Sequence, residues 1–131
     1  MRLLAPLVIA SALAACAPKT CPSQPMPKEY EEVASLLPAA AVVCTEQPQP
    51  GSLFLQFASR DVKSLSLETM LALRKADWAL DATSRAEDLA GYIVATKGQK
   101  RLHIGINRQN GGPYVGRITG NVNLQDPSRA K

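Results

Sequence analysis

The side chains best suited to covalent or metal chemistry are three cysteines, Cys16, Cys21 and Cys44, and a single histidine, His103. Nucleophilic hydrolysis requires a serine or cysteine beside a histidine and an orienting acid. His103 lies inside an alternating strand pattern, and no serine stands in a Gly-x-Ser-x-Gly elbow. Cys21, Cys44 and His103 are also spaced unlike the ligands of a zinc site. We therefore expect neither a catalytic triad nor a bound metal.

Two pairs of adjacent acids, Glu31-Glu32 and Glu87-Asp88, contain the residue type that glycosidases use. Glycoside hydrolysis needs two carboxyl groups that face one groove, whereas these pairs fall in a predicted solvated helix and in a turn. The segment TKGQK also lacks the leading glycine and the final hydroxyl residue of a phosphate loop. The sequence therefore predicts a protein that is not an enzyme and has no cofactor.

Residues 1–15 have the layout of an export signal. Arg2 is followed by an apolar stretch from Leu3 to Leu13 and then by small residues. The apolar stretch is too short to span a membrane permanently. Two processing sites remain open: cleavage after Ala14, as in ordinary secretion, and cleavage before Cys16.

The segment LAAC, residues 13–16, resembles the lipobox of bacterial lipoproteins. The resemblance implies that Cys16 is acylated and becomes the first residue of the mature chain. Cys21 and Cys44 then remain, and an even pair in an oxidising compartment is expected to form a disulfide. Because Ala17 rather than aspartate follows Cys16, resemblance to enterobacterial sorting implies the outer membrane of the bacterial envelope, on its periplasmic or surface face.

Prolines are frequent after Cys16. Residues 16–27 lack an amphipathic period and predict an extended, polyproline-like tether. The length of 131 residues then leaves room for one domain with a modest core, which we assign to residues 28–124. In this prediction residues 125–131 form a flexible basic tail.

Hydrophobic periodicity divides the predicted domain into two helices and six strands. A short N-terminal helix is followed by elements in the order β-β-α-β-β-β-β, which predicts an α+β fold. The C-terminal strands form an antiparallel meander packed on the second helix. Within it, Leu102, Ile104 and Ile106 alternate inward, which places Arg101 and His103 on the opposite face.

The second helix is predicted over the segment SLETMLALRKA. Ser66 is its expected N-cap, and Leu67, Met70 and Leu71 are expected to face the core. Asp77 stands where helices usually end on glycine, and aspartate also tolerates the left-handed conformation that such an ending requires.

Trp78 is the single tryptophan of the chain. We expect it to anchor the core beneath the meander, in contact with Leu67 and Leu71 of the second helix and with the row of Leu102 and Ile104. A surface tryptophan that contacts a partner is the alternative.

The layout of the domain resembles that of small, uncharacterised bacterial lipoprotein domains. The shared features are a proline-alanine entry, here LPAAAVV, a strand, a helix that ends in Leu-x-x-x-Gly-Trp, and a meander. In this chain the helix ending is LRKADWAL, with Asp77 in the glycine position. The resemblance covers roughly residues 36–124. It implies an α+β fold class and assigns no site.

The net charge of +4 is concentrated in the C-terminal third, where seven basic residues from Lys97 onward face one acid, Asp126. We expect this part to contact anionic groups. Nucleic acid is not expected as a partner, because the predicted location is outside the cytoplasm and only Tyr92 and Tyr114 are available for stacking on bases. The candidate contacts are Lys97, Lys100, Arg101, Arg108 and Arg117.

Together these patterns predict a lipid-anchored envelope lipoprotein with a small, non-enzymatic binding or structural domain. Its expected partners are the membrane, through the anchor, and an envelope protein or anionic head groups. One alternative is an immunity or inhibitor lipoprotein that neutralises an envelope-acting protein. A second alternative is a small enzyme without a recognisable site, and a third is a secreted domain released by cleavage after Ala14.

Overall fold

An antiparallel sheet of seven strands, with one helix packed on it, forms the frame of the protein. The computed structural model describes residues 20–37, 41–44 and 51–129. The predicted export signal, Cys16 and the start of the predicted tether lie outside these residues, as do Ala130 and Lys131. The α+β fold predicted from the sequence is confirmed.

The helices and strands of the described residues have well-defined bounds. In chain order they are a 3-10 helix (Lys28–Tyr30), α1 (Glu31–Ala34), β1 (Val42–Val43), β2 (Ser52–Phe57), α2 (Val62–Lys75), β3 (Ala79–Leu80), β4 (Arg85–Ala86), β5 (Ala90–Lys97), β6 (Lys100–Arg108), β7 (Ile118–Gln125) and a 3-10 helix (Pro127–Arg129).

The strands lie in the order β1-β2-β7-β6-β5-β3, and β4 also pairs with β5. β5, β6 and β7 form the predicted meander. Its first turn is tight, because Lys97 pairs with Lys100 and Gly98 takes a φ of 61°; a positive φ there matches the twist of the flanking strands. The short β4 adds one strand to the predicted six, and the strand predicted at WALDAT is reduced to Ala79–Leu80.

One face of the sheet is covered by α2, and we call it the helix face; the other is the open face. β6 shows the division most clearly, since Leu102, Ile104 and Ile106 are fully buried on the helix face. Arg101 and His103 alternate with them on the open face, where Arg101 is exposed and His103 is half-buried. The alternation predicted for this strand is confirmed.

Helix α2 begins five residues earlier than predicted, at Val62. Its N-cap is Asp61, whose carboxylate accepts a hydrogen bond from the backbone N–H of Lys63 at 3.0 Å. Ser66, the predicted cap, lies instead within the helix. Its hydroxyl donates to the carbonyl of Val62 at 2.8 Å, so the polar group is satisfied although it is fully buried.

The inward face of α2 also differs from the prediction. Leu67 and Leu71 are 46% and 55% exposed, whereas Ser66 and Thr69 are buried. The reason is a close approach of α2 to β5: a Cβ at Gly91 would lie 1.9 Å from the Ser66 hydroxyl oxygen. Only a small side chain fits at this point of contact, and Leu67 and Leu71 are turned to the outside. Met70, the third residue predicted to face inward, does pack against the core.

Trp78 is 2% exposed and belongs to the main core, as predicted. The same core contains Leu102 and Ile104. The predicted contact with Leu67 and Leu71 is wrong, because both leucines are on the solvent side of α2. The inward positions at the two ends of the helix are occupied by Val62 and Leu73.

Residues 21–27 of the predicted tether lie against the domain. Ser23 forms a β-bridge with Cys44, and the backbone N–H of Gln24 donates to the carbonyl of Val43 at 2.9 Å. The segment therefore covers the outer edge of β1. At the other end of the chain, β7 continues to Gln125 and is followed by the 3-10 helix, so these residues of the predicted tail are part of regular structure.

Candidate anion-binding site

The five predicted anionic-surface contacts do not lie together. Lys100 begins β6 and Arg108 ends it, which separates the two residues by about 26 Å at the usual rise of a strand. We call the turn between β5 and β6 the hairpin end of the sheet. We call the opposite end, with the connecting residues 109–117, the loop end.

At the hairpin end, both lysines are engaged within the molecule. The ammonium groups of Lys97 and Lys100 lie 3.4 and 2.9 Å from the two carboxylate oxygens of Glu32 in α1. The hydrogen bond from Lys100 is the main reason why the pKa of Glu32 is below its ordinary value, and Lys97 adds to the effect. This cluster attaches α1 to the sheet and offsets part of the predicted positive charge.

Arg101 lies on the open face, apart from the other predicted contacts. Its Nε–H donates to Nε2 of His103 at 3.0 Å. The other ring nitrogen, Nδ1, is 3.4 Å from the hydroxyl oxygen of Tyr92. Arg101 therefore belongs to a small polar row across β5 and β6.

The loop end contains a cleft with a volume of about 660 Å³. Arg60, Arg108 and Arg117 line it, and Phe57 and Ile118 contribute apolar wall. No acidic side chain is among the described residues that line this cleft. It therefore carries three positive charges without a carboxylate in its wall.

The strand register explains why these side chains meet. Ile118 at the start of β7 pairs with Phe57 at the end of β2 on one side and with Arg108 at the end of β6 on the other. Arg60 lies three residues after the end of β2, and Arg117 directly precedes β7. Three strand ends in register thus bring together cations that are far apart in the sequence.

Arg108 is held in a defined orientation by two backbone carbonyls. Its Nη1 donates to the carbonyl of Gly116 at 2.9 Å, and its Nη2 donates to the carbonyl of Arg60. Because a guanidinium has five N–H donors, three remain for a ligand. The two carbonyls also join the β2–α2 connection to the β6–β7 loop, so Arg108 both shapes the cleft and lines it.

The β6–β7 loop is held by its own backbone. The N–H of Gly116 donates to the carbonyl of Gln109 at 2.9 Å, and the N–H of Gln109 donates to the carbonyl of Arg117 at 2.9 Å. Gly116 takes a φ of 80°, a left-handed conformation that glycine adopts without steric cost. The cleft is therefore largely preformed, which reduces the entropy that a ligand must overcome.

This geometry suits an oxyanion. Guanidinium groups bind phosphate and carboxylate through parallel N–H···O bonds, and they do so more strongly than neutral donors. Of the predicted contacts, Arg108 and Arg117 lie in the cleft, whereas Lys97, Lys100 and Arg101 lie elsewhere. Arg60 was not among the predicted contacts, because its neighbours in the cleft come from strands that follow about 50 residues later. Its position directly after a predicted strand was the one feature of the sequence that could have indicated it.

Cys21 and Cys44 form a disulfide, with their Cα atoms 5.3 Å apart. This separation is within the range that a disulfide bridges, so the predicted pairing is confirmed. Both residues belong to a second apolar cluster on the open face, together with Tyr114 of the β6–β7 loop. The disulfide lies beside the middle of β2, because the backbone N–H of Cys44 donates to the carbonyl of Phe54.

Within the described part of the chain, no helix combines the length and apolar character needed to cross a membrane. Comparison of the chain with protein-family models, with curated proteins and with solved structures finds no match.

Proposed function

We propose that this chain is a lipid-anchored envelope lipoprotein whose domain binds an anionic group in the cleft at the loop end. The observation that carries the proposal is the convergence of Arg60, Arg108 and Arg117 on one cleft without a carboxylate in its described wall. Arg60 and Arg108 are exposed and so are accessible to an oxyanion, which guanidinium groups bind through charge-assisted hydrogen bonds.

The anchor rests on the sequence of the N-terminus. The lipobox-like segment places Cys16 directly after an apolar run. The disulfide between Cys21 and Cys44 supports this reading in two ways. It is expected in an oxidising compartment, and it leaves Cys16 as the odd cysteine, for which acylation is the established fate in lipoproteins.

Binding rather than turnover is the activity that the cleft supports. Its described wall contains one hydroxyl side chain, that of Ser59, and neither a histidine nor a carboxylate lines the same described wall to act as a general base. Hydrolysis of a bound ester requires such a base or a metal-activated water. The proposed function is therefore that of an anchored binding module.

The anchor is tested by mass spectrometry of the mature N-terminus. The expected species begins at Cys16 and carries two or three acyl chains. A mature chain that begins at Ala15 with an unmodified Cys16 would contradict the anchor and favour ordinary secretion.

The cleft is tested with protein purified from membranes in neutral detergent. Inorganic phosphate is titrated at constant ionic strength while the backbone amide signals of Gly116 and Arg117 are followed by NMR. We expect saturable shifts, weakened about fivefold by Arg60→Gln and unchanged by Lys97→Gln at the hairpin end. Shifts that both variants reduce equally, or the absence of shifts, would contradict the assignment of the cleft.

A further inference from the structure

We infer that Asn110, in the β6–β7 loop, is a site of spontaneous deamidation, at which a neutral amide is converted into a carboxylate close to Arg108. The modification follows from the chemistry and the geometry of the loop, independently of the proposed function. Its effect on ligand binding rests on the proposed function and adds a means by which the anion cleft is regulated.

Asn110 is the one asparagine of this sequence that a glycine follows. The others, Asn107, Asn121 and Asn123, precede arginine, valine and leucine. Deamidation begins when the backbone nitrogen of the next residue attacks the carbonyl carbon of the asparagine side chain, so the size of that next residue controls access. Gly111 has no side chain to obstruct the attack, and glycine also adopts a wider range of backbone conformations than any other residue.

The structure leaves both reacting groups of this pair accessible. Asn110 and Gly111 are exposed. Among the described residues, no hydrogen bond holds the side-chain amide of Asn110 or the backbone N–H of Gly111. The loop is held at its base, between Gln109 and Gly116, whereas residues 110–113 form no backbone hydrogen bond within the described chain. Such a segment changes conformation at little cost in free energy, so the pair can adopt the cyclic geometry of the reaction.

The other asparagines lie in strands. Asn107 is in β6, and Asn121 and Asn123 are in β7, which pairs with β2 on one side and with β6 on the other. The ladder therefore engages the backbone N–H groups of Val122 and Leu124, which are the groups that would have to attack. These asparagines provide internal controls in the same molecule.

The reaction consumes one water and releases one ammonia. The backbone nitrogen of Gly111 loses its proton and bonds to Cγ of Asn110, and the bond from Cγ to Nδ2 breaks as ammonia leaves with a proton. The product is a cyclic succinimide. Water then adds its hydroxyl to carbon and its hydrogen to the ring nitrogen. Opening at Cγ gives aspartate, and opening at the main-chain carbonyl carbon gives isoaspartate. Either product carries one carboxylate in place of the amide, and nothing is oxidised or reduced.

The new carboxylate is close to one of the cations of the cleft. Asn110 is two residues after Arg108, so their Cα atoms are at most about 7 Å apart. This separation is within one Debye length at physiological ionic strength. A negative charge here opposes the binding of an anion. Isoaspartate also lengthens the main chain of the loop, whose Gly116 carbonyl accepts a hydrogen bond from Arg108.

The modification is tested by peptide mapping of the full mature protein, incubated in neutral detergent at mildly alkaline pH without denaturant. Trypsin separates the four asparagines into three peptides, residues 102–108, 109–117 and 118–129, of which the second contains only Asn110. We expect mass spectrometry to show aspartate and isoaspartate accumulating in the second peptide, with the other two intact. A second peptide that stays intact in the folded protein would overturn the inference, even if it deamidates after unfolding in urea.

Gly111→Ala is the matched control for the mechanism. Gly111 is not among the glycines with a positive φ, and nothing lies within 4 Å of the Cβ that the variant would add, so the fold accommodates it. We expect this variant to deamidate several-fold more slowly, because the methyl group obstructs the attacking nitrogen. Raising the pH should speed the reaction in the natural protein, because that nitrogen must lose its proton. Equal rates in the two proteins, or a rate that pH does not change, would contradict attack by Gly111.

The effect on the cleft is tested by repeating the phosphate titration with Asn110→Asp at physiological ionic strength. We expect binding about twofold weaker than in the natural protein. Asn123→Asp adds the same charge about 17 Å from the start of β7 and should leave binding unchanged. Unchanged binding in Asn110→Asp would overturn the effect on the cleft. Absence of phosphate binding in the natural protein would overturn the proposed function, whereas the deamidation itself is decided by the peptide mapping.

Discussion

The backbone N–H of Trp78 donates to the carbonyl of Leu73 at 2.9 Å, and the N–H of Asp77 donates to the carbonyl of Arg74 at 3.1 Å. This pair of bonds closes α2 in a Schellman motif, with Asp77 in the left-handed conformation at a φ of 65°. Trp78 and Leu73 are both buried, so the apolar contact that accompanies the motif is part of the main core. The end of the helix and the position of the tryptophan are thereby fixed together.

The left-handed residue gives the first prediction. Asp77→Gly removes the clash between Cβ and the backbone and is expected to raise the free energy of unfolding by up to about 1 kcal/mol. Asp77→Val, with a branched Cβ, is expected to lower it by about 1–2 kcal/mol. Urea denaturation measures the free energy of unfolding of both variants. If the glycine variant were less stable than the natural protein, the Asp77 carboxylate would contribute more to stability than the left-handed backbone costs.

The close approach of α2 to β5 gives the second prediction. Gly91→Ala forces a methyl group against Ser66 and is expected to destabilise the protein by about 1–3 kcal/mol. Gly105→Ala is the matched control in the neighbouring strand, because nothing lies within 4 Å of the Cβ that it would add. Thermal unfolding should separate the two variants, and similar melting temperatures would contradict the close packing.

The third prediction compares Trp78, which is buried after the end of α2, with Leu71, which lies on the solvent side of α2. Trp78→Ala is expected to cost about 3–5 kcal/mol, because it removes a large side chain that is 2% exposed. Leu71→Ala is expected to change the free energy of unfolding by less than about 0.5 kcal/mol, because Leu71 is on the solvent side. A cost of several kcal/mol for Leu71→Ala would reinstate the inward orientation predicted from the sequence.

The fourth prediction concerns pH. Hydrogen bonding from Lys100 lowers the pKa of Glu32 in the folded state below its ordinary value of 4.5. The ionised Glu32 therefore stabilises the fold fully above pH 4.5. This contribution is lost as the pH falls through the lower pKa of the folded state. Glu32→Gln should therefore cost less than about 1 kcal/mol at neutral pH, since all three side chains are partly exposed. The cost should vanish in acid.

Urea denaturation of the natural protein and of Glu32→Gln across this pH range measures the effect. Glu31→Gln, one residue earlier in α1, is the control for the loss of one negative charge. A difference between the natural protein and Glu32→Gln that persists at low pH would assign the effect to packing of α1.

The fifth prediction concerns the disulfide. Replacing Cys21 and Cys44 together by alanine is expected to lower the free energy of unfolding by about 3 kcal/mol in the chain-entropy account. A reductant should destabilise the natural protein and leave the double variant unchanged. If the reductant lowered the stability of both proteins equally, its effect would not come from reduction of this disulfide.

The parts of the fold that the sequence predicts well depend on local periodicity. Leu102, Ile104 and Ile106 alternate strictly, and a strand with one buried face has only one register that buries them all. The inward face of α2 was predicted correctly at Met70, which packs against the core, and wrongly at Leu67 and Leu71. Ser66 lies on the inward face instead, where α2 approaches β5 at Gly91. That approach comes from the tertiary packing of two separate elements and has no local signature.

In the candidate site, too, local sequence features predict some residues, and tertiary pairing determines the others. Arg108 and Arg117 are visible as cations next to a glycine-rich loop, whereas Arg60 joins them only through the pairing of β2, β7 and β6. Lys97 and Lys100 lie in the predicted turn, but their partner, Glu32, is in a helix far earlier in the chain. A count of basic residues along the sequence does not reveal which distant carboxylates form ion pairs with them in the folded protein.

The segment that covers β1 makes the oxidation state of the protein a determinant of its solubility. Ser23 and Gln24 occupy the hydrogen-bonding edge at Cys44 and Val43, and the disulfide retains them there. Reduction frees this segment and leaves a valine edge strand as a template for pairing with another molecule, which is the usual route to edge-to-edge aggregation. The disulfide between Cys21 and Cys44 thus protects the protein against self-association. Light scattering of the reduced protein at rising concentration would measure this effect.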